Sequence, residues 1–258
     1  MTASLPGPRG GRGGPGNVSV AAAGSGPAPA GLLATADRGG VVAEAARALG
    51  RSPGRPPTPP ELSLRRLLAG NQRFLAGRPA HPRQDLYRVA QVSAGQNPMA
   101  MSLGCADSRV PPETLFDQGI GDLFDQRVAG NVVDESVLGS IEYGAEHLGV
   151  PLLLVLGHSS CGAVAATMSS VRTGEEPGGH VGAIVRAIRP AVEPVLSGTA
   201  PAGVPAQVTR DCELANVAWV MGQVRARSQV VAELEAQGRL AVVGGYYDLA
   251  TGAVSLVG

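Results

Sequence analysis

Pro151-Leu152-Leu153-Leu154-Val155-Leu156-Gly157 is an unbroken apolar run, and His158-Ser159-Ser160-Cys161 follows it directly. An aliphatic stretch of this kind, with no polar alternation, is the pattern of a parallel strand covered on both faces. Gly162 to Val171 then reads as a helix, so His158 and Cys161 stand in a strand-to-helix turn. The same arrangement occurs upstream. Gly95-Gln96-Asn97-Pro98 is a turn, Met99 to Leu103 a buried strand, and Cys105-Ala106-Asp107-Ser108-Arg109 lies just past its end.

The segments around these two strands alternate in the same way. Leu64, Leu67, Leu68, Phe74 and Leu75 recur at helical spacing, and Gly77 with Pro79 ends that helix. A second helix is expected around Asp85 to Ser93. Pro111-Pro112-Glu113 opens a short one, because proline suits the first helical position. Asp122 to Val128 reads as a strand, and Val137, Leu138, Ile141, Ala145 and Leu148 trace one face of a helix ending at Gly149. A helical stripe from Val181 runs up to Pro190, and a Pro/Gly-rich connection spans Gly198 to Pro205. One long helix is expected from about Cys212 to Gln237, and two last strands lie at Leu240 to Val243 and Val254 to Val257. The alternation predicts an α/β fold: a mostly parallel central sheet flanked by helices, an antiparallel edge near the C-terminus and N-terminal arm helices. In such sheets ligands gather outside the carboxyl ends of the strands, where both reactive segments fall.

Residues 1–60 differ from the rest, with runs such as Arg9-Gly10-Gly11-Arg12-Gly13-Gly14-Pro15 and Pro56-Pro57-Thr58-Pro59-Pro60. They have too little apolar surface to offset the entropy of ordering, so they read as a disordered leader with a transient helix at Val41 to Leu49. Residues 61–258 read as one folded domain. Basic and acidic residues balance at 21 each, which argues against nucleic acid or an anionic membrane as partner. No apolar run reaches the roughly 18 residues of a membrane span, and no secretory signal is indicated. Three cysteines, Cys105, Cys161 and Cys212, are too few and too odd in number for a disulfide scaffold and suit a reducing, cytoplasmic setting.

Cys105, His158 and Cys161 form a soft donor set that zinc accepts, and three protein ligands leave a fourth tetrahedral position open. A closed structural site needs a fourth ligand, and the remaining thiol, Cys212, belongs to a distant helix. Two thiolates cancel the charge of the ion, so a neutral centre needs help to activate water. Asp107 with Arg109 supplies it: the guanidinium keeps the carboxylate ionised and fixes it through paired N–H donors. Taken singly, an Asp-x-Arg pair is usually structural and a cysteine after a strand is usually a small buried residue. Together, at two strand ends, they read as a metal site.

Cys-x-Asp-Ser-Arg followed by His-x-x-Cys resembles the active-site signature of the β-class carbonic anhydrases. The resemblance runs from about Glu61 to Gly258. It includes Arg109-Val110-Pro111-Pro112-Glu113, Phe116-Asp117-Gln118-Gly119, Gly121-Asp122-Leu123-Phe124, Ala129-Gly130-Asn131, Gly139-Ser140-Ile141-Glu142-Tyr143 and Gly157-His158-Ser159-Ser160-Cys161-Gly162. It implies a carbonate dehydratase in which zinc-bound hydroxide attacks carbon dioxide to give bicarbonate. One zinc per subunit would be held by Cys105, His158 and Cys161, with hydroxide oriented by Asp107 and Arg109 in support. It also implies a homodimer or larger homo-oligomer wrapped by the N-terminal helices. By position, Gln96 matches a glutamine that donates to substrate, Phe124 and Tyr143 match pocket-lining aromatics, and Gly162 matches a glycine whose N–H faces substrate.

This chain departs from the family pattern at Val128, where many relatives carry asparagine after the strand arginine, here Arg127. Ser102 replaces a tryptophan of an inhibitory bicarbonate pocket, and Asp125 is unusually polar for a strand. Hydrolysis of carbonyl sulfide or carbon disulfide on the same site, and a non-catalytic zinc or redox-sensing module, are the competing readings. His81, His147 and His180 read as surface histidines and Cys212 as a helix-face thiol.

Overall fold

A computed structural model of the chain describes residues 59–197 and 205–257, together with Gly40 and Glu44. The leader and its expected helix lie outside the described residues apart from these two and the first turn at Pro59 and Pro60. So do residues 198–204 of the Pro/Gly-rich connection. Five strands form one sheet: β1 Ala100–Gly104, β2 Leu123–Arg127, β3 Leu152–His158, β4 Ala241–Tyr247 and β5 Val254–Val257, in the order β2-β1-β3-β4-β5. The first four are parallel and β5 pairs antiparallel with β4. Every residue of β1 and β3 is buried, which is why both read as plain apolar runs.

Eight α-helices are described: α1 Pro59–Leu75, α2 Leu86–Val92, α3 Pro112–Leu115, α4 Glu135–Glu142, α5 Gly162–Thr173, α6 Val181–Leu196, α7 Ala206–Arg227 and α8 Gln229–Ala236. One face of the sheet packs Met101, Leu103, Leu153 and Val155 against Ile141, Val217, Val220 and Val231 of α4, α7 and α8. The other packs Ala100, Leu152, Leu154 and Leu156 against Leu64, Leu67 and Leu68 of α1 and Leu115 and Phe116 around α3. Asn71 of α1 ties the layers together. It donates to the Leu115 carbonyl at 3.1 Å and to the Gly252 carbonyl at 3.0 Å, and accepts from Val254 N at 3.0 Å. None of the described helices is long and apolar enough to cross a membrane.

Three local expectations are corrected. The helix traced as far as Gly149 leaves α geometry after Glu142 and passes through a π-turn at Tyr143–His147, with Leu148 N–H bonded to the Tyr143 carbonyl at 3.2 Å. Gly144 packs there so closely on β1 that a Cβ would lie 2.4 Å from Met101 Sδ. Pro190 does not end α6, which continues through Pro194 to Leu196. Both prolines are on the exposed side, while Val185, Ile188, Val192 and Leu196 keep a continuous buried stripe. The single long helix is two. It breaks at Ser228, whose extended backbone and hydroxyl cap α8 by accepting from Val231 N at 3.1 Å.

Candidate metal centre

The chain reverses its direction of winding between β1 and β3: β1 connects outward to β2, β3 outward to β4. These neighbouring parallel strands therefore end at a switch point, and the crevice there receives both reactive segments. Cys105 follows β1, while His158 is the last residue of β3 rather than the first beyond it. Cys161 is the N-cap of α5. The two sulfurs and a histidine ring nitrogen lie within 4.8 Å of one another, and the three residues are 5%, 1% and 3% exposed.

Local geometry holds each donor. Ser160 takes a positive φ of 56°, which turns the chain sharply between His158 and Cys161. Gly157 lets α7 cross β3 at close range, since a Cβ there would meet Val217 Cγ2 at 2.4 Å. Gly130, at φ 69°, sits where a Cβ would lie 2.6 Å from Ile188 Cδ1, and its N–H donates to Cys105 Sγ at 3.3 Å. His158 Nδ1 is 2.9 Å from the Ser159 carbonyl; a carbonyl can only accept, so Nδ1 carries the hydrogen and Nε2 keeps its lone pair. That Nε2 is buried with no hydrogen-bond partner.

The charges agree. Cys105 is pushed down to about 4, first by its hydrogen bond with Cys161 and then, against burial, by His158 and the Gly130 N–H. Cys161 is pushed up by the same bond to Cys105 and by burial. Burial opposes charge on His158, yet the neighbouring Cys105 sulfur, the Ser159 carbonyl and Asp107 hold it above its usual value. A buried, unpartnered imidazole nitrogen facing two sulfurs fits a soft divalent metal.

Asp107 stands beside the cluster in a fixed orientation. Arg109 donates to Oδ1 from its backbone N and its Nε, both at 2.9 Å, and to Oδ2 from Nη2 at 2.7 Å. The side-chain bonds to Arg109 and then its backbone N–H, against burial, hold the carboxyl far below the usual carboxylate range. Arg109 Nη2 also reaches the Ser160 carbonyl at 3.3 Å, which joins the two halves of the site. Gly162 opens α5 directly after Cys161, with its position exposed.

Gln96, Phe124 and Tyr143 are elsewhere. Gln96 is an exposed residue before the amino end of β1. Phe124 pairs with Met101, three residues or about 10 Å short of the strand end where the cluster sits. Tyr143 packs on Phe124 with ring centroids 6.1 Å apart, and is 47% exposed. Within one chain these three do not meet the cluster. Cys212 is fully buried and, like the exposed His81, His147 and His180, is not one of the grouped ligands. The sequence reading missed Arg127, Glu213 and Asn216. They stand among other polar residues of their elements, which hides them, and each acts through backbone groups distant in sequence.

Fold and site together define an α/β protein with a cluster of soft donors that could hold a metal ion at the switch point of its sheet. A sequence model of the family described as carbonic anhydrase matches residues 100–254. Carbonic anhydrase 2 of Mycobacterium tuberculosis is 44% identical over 201 residues, 78% of this chain and 94% of that protein. Among solved structures, the Coccomyxa β-carbonic anhydrase in complex with acetazolamide superposes with a TM-score of 0.60 at 29% identity, covering 74% of this chain and 84% of that one. A tetrameric β-carbonic anhydrase of Sordaria macrospora gives 0.59 at 25% identity, covering 74% and 94%. The chain belongs to the β-carbonic anhydrases, a family of carbonate dehydratases.

Proposed function

We propose that the chain hydrates carbon dioxide reversibly to bicarbonate and a proton at a zinc ion, one per subunit, held by Cys105, His158 and Cys161. The observation that carries this is the orphaned His158 Nε2 facing two buried sulfurs next to an arginine-clamped carboxylate. Zinc, when bound, supplies a Lewis acid that lowers the pKa of coordinated water toward about 7. Asp107, kept ionised and unable to rotate, accepts a hydrogen from the reacting water and so fixes its orientation. Arg109 does not touch the reacting atoms; it positions Asp107 and the Ser160 loop. Gly162 presents an amide at the start of a twelve-residue helix, where unpaired N–H groups and the helix dipole favour bicarbonate.

Gln96, Phe124 and Tyr143 take substrate-lining roles on this reading only across a subunit boundary, where they face the centre of a second copy. Gln96 and Tyr143 are exposed and Phe124 is half-buried beneath Tyr143, so this surface is open to that contact. A homo-oligomer is therefore part of the proposal, and the tetramer described for the Sordaria relative is in keeping with it. Three free thiols, two of them the proposed ligands, support a reducing compartment such as the cytoplasm as the setting of this reaction.

Stopped-flow hydration of carbon dioxide by zinc-replete protein, beside Asp107→Ala, tests the reaction. A wild type that holds stoichiometric zinc and yet is silent would refute it. For the boundary-spanning roles, Cys105→Ala and Tyr143→Ala subunits are mixed and reassembled. Activity above that of either parent is expected, and its absence removes Tyr143 from the site.

A further inference from the structure

Helix α7 passes the cluster without contributing a ligand, yet it carries two buried polar side chains toward it. Glu213 is 3% exposed and Asn216 2%; three residues apart on a helix, they share one face. Glu213 Oε1 accepts the Cys161 N–H at 3.1 Å, and its Oε2 accepts the Tyr246 hydroxyl at 2.7 Å. Asn216 Nδ2 donates to the Gly130 carbonyl at 3.1 Å, and the N–H of that glycine donates to Cys105 Sγ. Each residue thus reaches one sulfur ligand through a backbone group of that ligand or its donor.

Burying a carboxylate is costly unless its acceptors are filled, and a well-packed apolar side chain would serve the core better. Here both oxygens are engaged. Tyr246 fixes the outer oxygen, and burial together with the bond to Glu213 keeps its phenol protonated and donating. The Arg210 guanidinium lies 4.8 Å from the Tyr246 ring centroid and covers it.

We propose that Glu213 and Asn216 are positioning residues of the metal centre, seating Cys161 and Cys105 respectively at the spacing the ion requires. The inference rests on the reading of Cys105, His158 and Cys161 as metal ligands. Partners of this kind behind a ligand typically change metal affinity or activity by roughly 10–100-fold when removed.

Zinc affinity is measured by competition with a chromophoric chelator, and the thiolate-to-metal absorption of the cobalt-substituted protein is recorded. The set is wild type, Glu213→Ala, Glu213→Gln, Asn216→Ala and Tyr246→Phe. Glu213→Ala and Asn216→Ala are each expected to weaken zinc binding about 10-fold or more and to shift the cobalt band. Glu213→Gln, which keeps an oxygen for the Cys161 N–H, is expected to restore most of the affinity. A wild type that binds neither ion refutes the ligand assignment itself. If the wild type binds while folded Glu213→Ala and Asn216→Ala match it in affinity and spectrum, the positioning roles are overturned. Should Glu213→Ala not fold, Asn216→Ala and Tyr246→Phe decide: lowered unfolding midpoints with unchanged metal binding make the face purely structural.

Discussion

Arg127 holds the Asp107 loop from behind: its Nη2 donates to the Asp107 carbonyl at 2.6 Å and its Nε to the Cys105 carbonyl at 3.1 Å. The guanidinium fork thereby fixes the backbone of Cys105 and of the arginine-clamped Asp107 at once. Arg127→Ala is expected to lower kcat/KM for hydration about 10–100-fold, the size of losing a pair of charge-assisted bonds. Lysine in its place offers a point charge and no fork, so Arg127→Lys is expected to recover little. Full activity in Arg127→Lys would show that charge alone matters there.

Removing Asp107 separates binding from chemistry. Asp107→Ala leaves the three donors in place and is expected to keep its zinc while hydration falls at least about 100-fold, the usual scale for a lost proton-directing group. Metal content by atomic absorption and rate by stopped flow are read on the same sample. Zinc lost in parallel with rate would move Asp107 among the ligands.

Metal occupancy is expected to show in thermal stability. A ligand that binds only the folded state raises its stability by mass action, so chelation lowers Tm in the wild type and added zinc restores it. Cys161→Ala and Cys105→Ala lack a sulfur and are expected to melt at a temperature that zinc does not move. A zinc-responsive Cys105→Ala would sink its assignment.

Asp125 gives the pH dependence. Burial, with Glu113 nearby and the Ser102 hydroxyl opposing, pushes it up to about 7, and its Oδ2 is buried without a partner. A carboxyl raised above its unfolded value of about 3.9 adds stability while protonated. That contribution is full below about pH 4 and lost as pH rises through about 7. Asp125→Asn mimics the protonated form and is expected to exceed the wild type at pH 8 by on the order of 2 kcal/mol, and by less at pH 5. Parallel urea-unfolding profiles for the two proteins across that range would contradict it.

Ser228 is a purely structural test. Its hydroxyl caps α8 at Val231 N and donates to Glu142 Oε1 at 2.6 Å, with the residue 1% exposed. Ser228→Ala is expected to cost about 1–2 kcal/mol in urea unfolding and to leave zinc affinity unchanged. A loss under about 0.3 kcal/mol would mean that water replaces the hydroxyl at both partners.

What could be read in advance follows from range. The apolar runs at β1 and β3 announce buried parallel strands because burial on both faces leaves no alternation. The donors just past them are legible because strand ends are where such sheets place ligands. Asp107 and Arg109 are near neighbours, so their pairing is local. The break at Ser228 was hidden because its local signal is one capping serine, bonded to Val231 N, while the other group that rewards the extended turn, Glu142, is far away in sequence. Pro190 misled for the converse reason: local chemistry favours stopping, and the buried stripe beyond it wins. Gln96, Phe124 and Tyr143 show the limit of position in sequence. Matching a pattern does not bring a side chain to its own chain's centre.

Synthesis proceeds from the amino end, so Cys105, His158 and Cys161 all emerge before Glu213, Asn216 and Tyr246 exist. During that interval the nascent polypeptide carries its complete donor set unbraced, with two thiols open to oxidation or to the wrong ion. The bonds from Glu213 to the Cys161 N–H and from Asn216 to the Gly130 carbonyl form only once α7 docks, so the backbone around donors encoded in the middle of the chain is completed by a stretch made later.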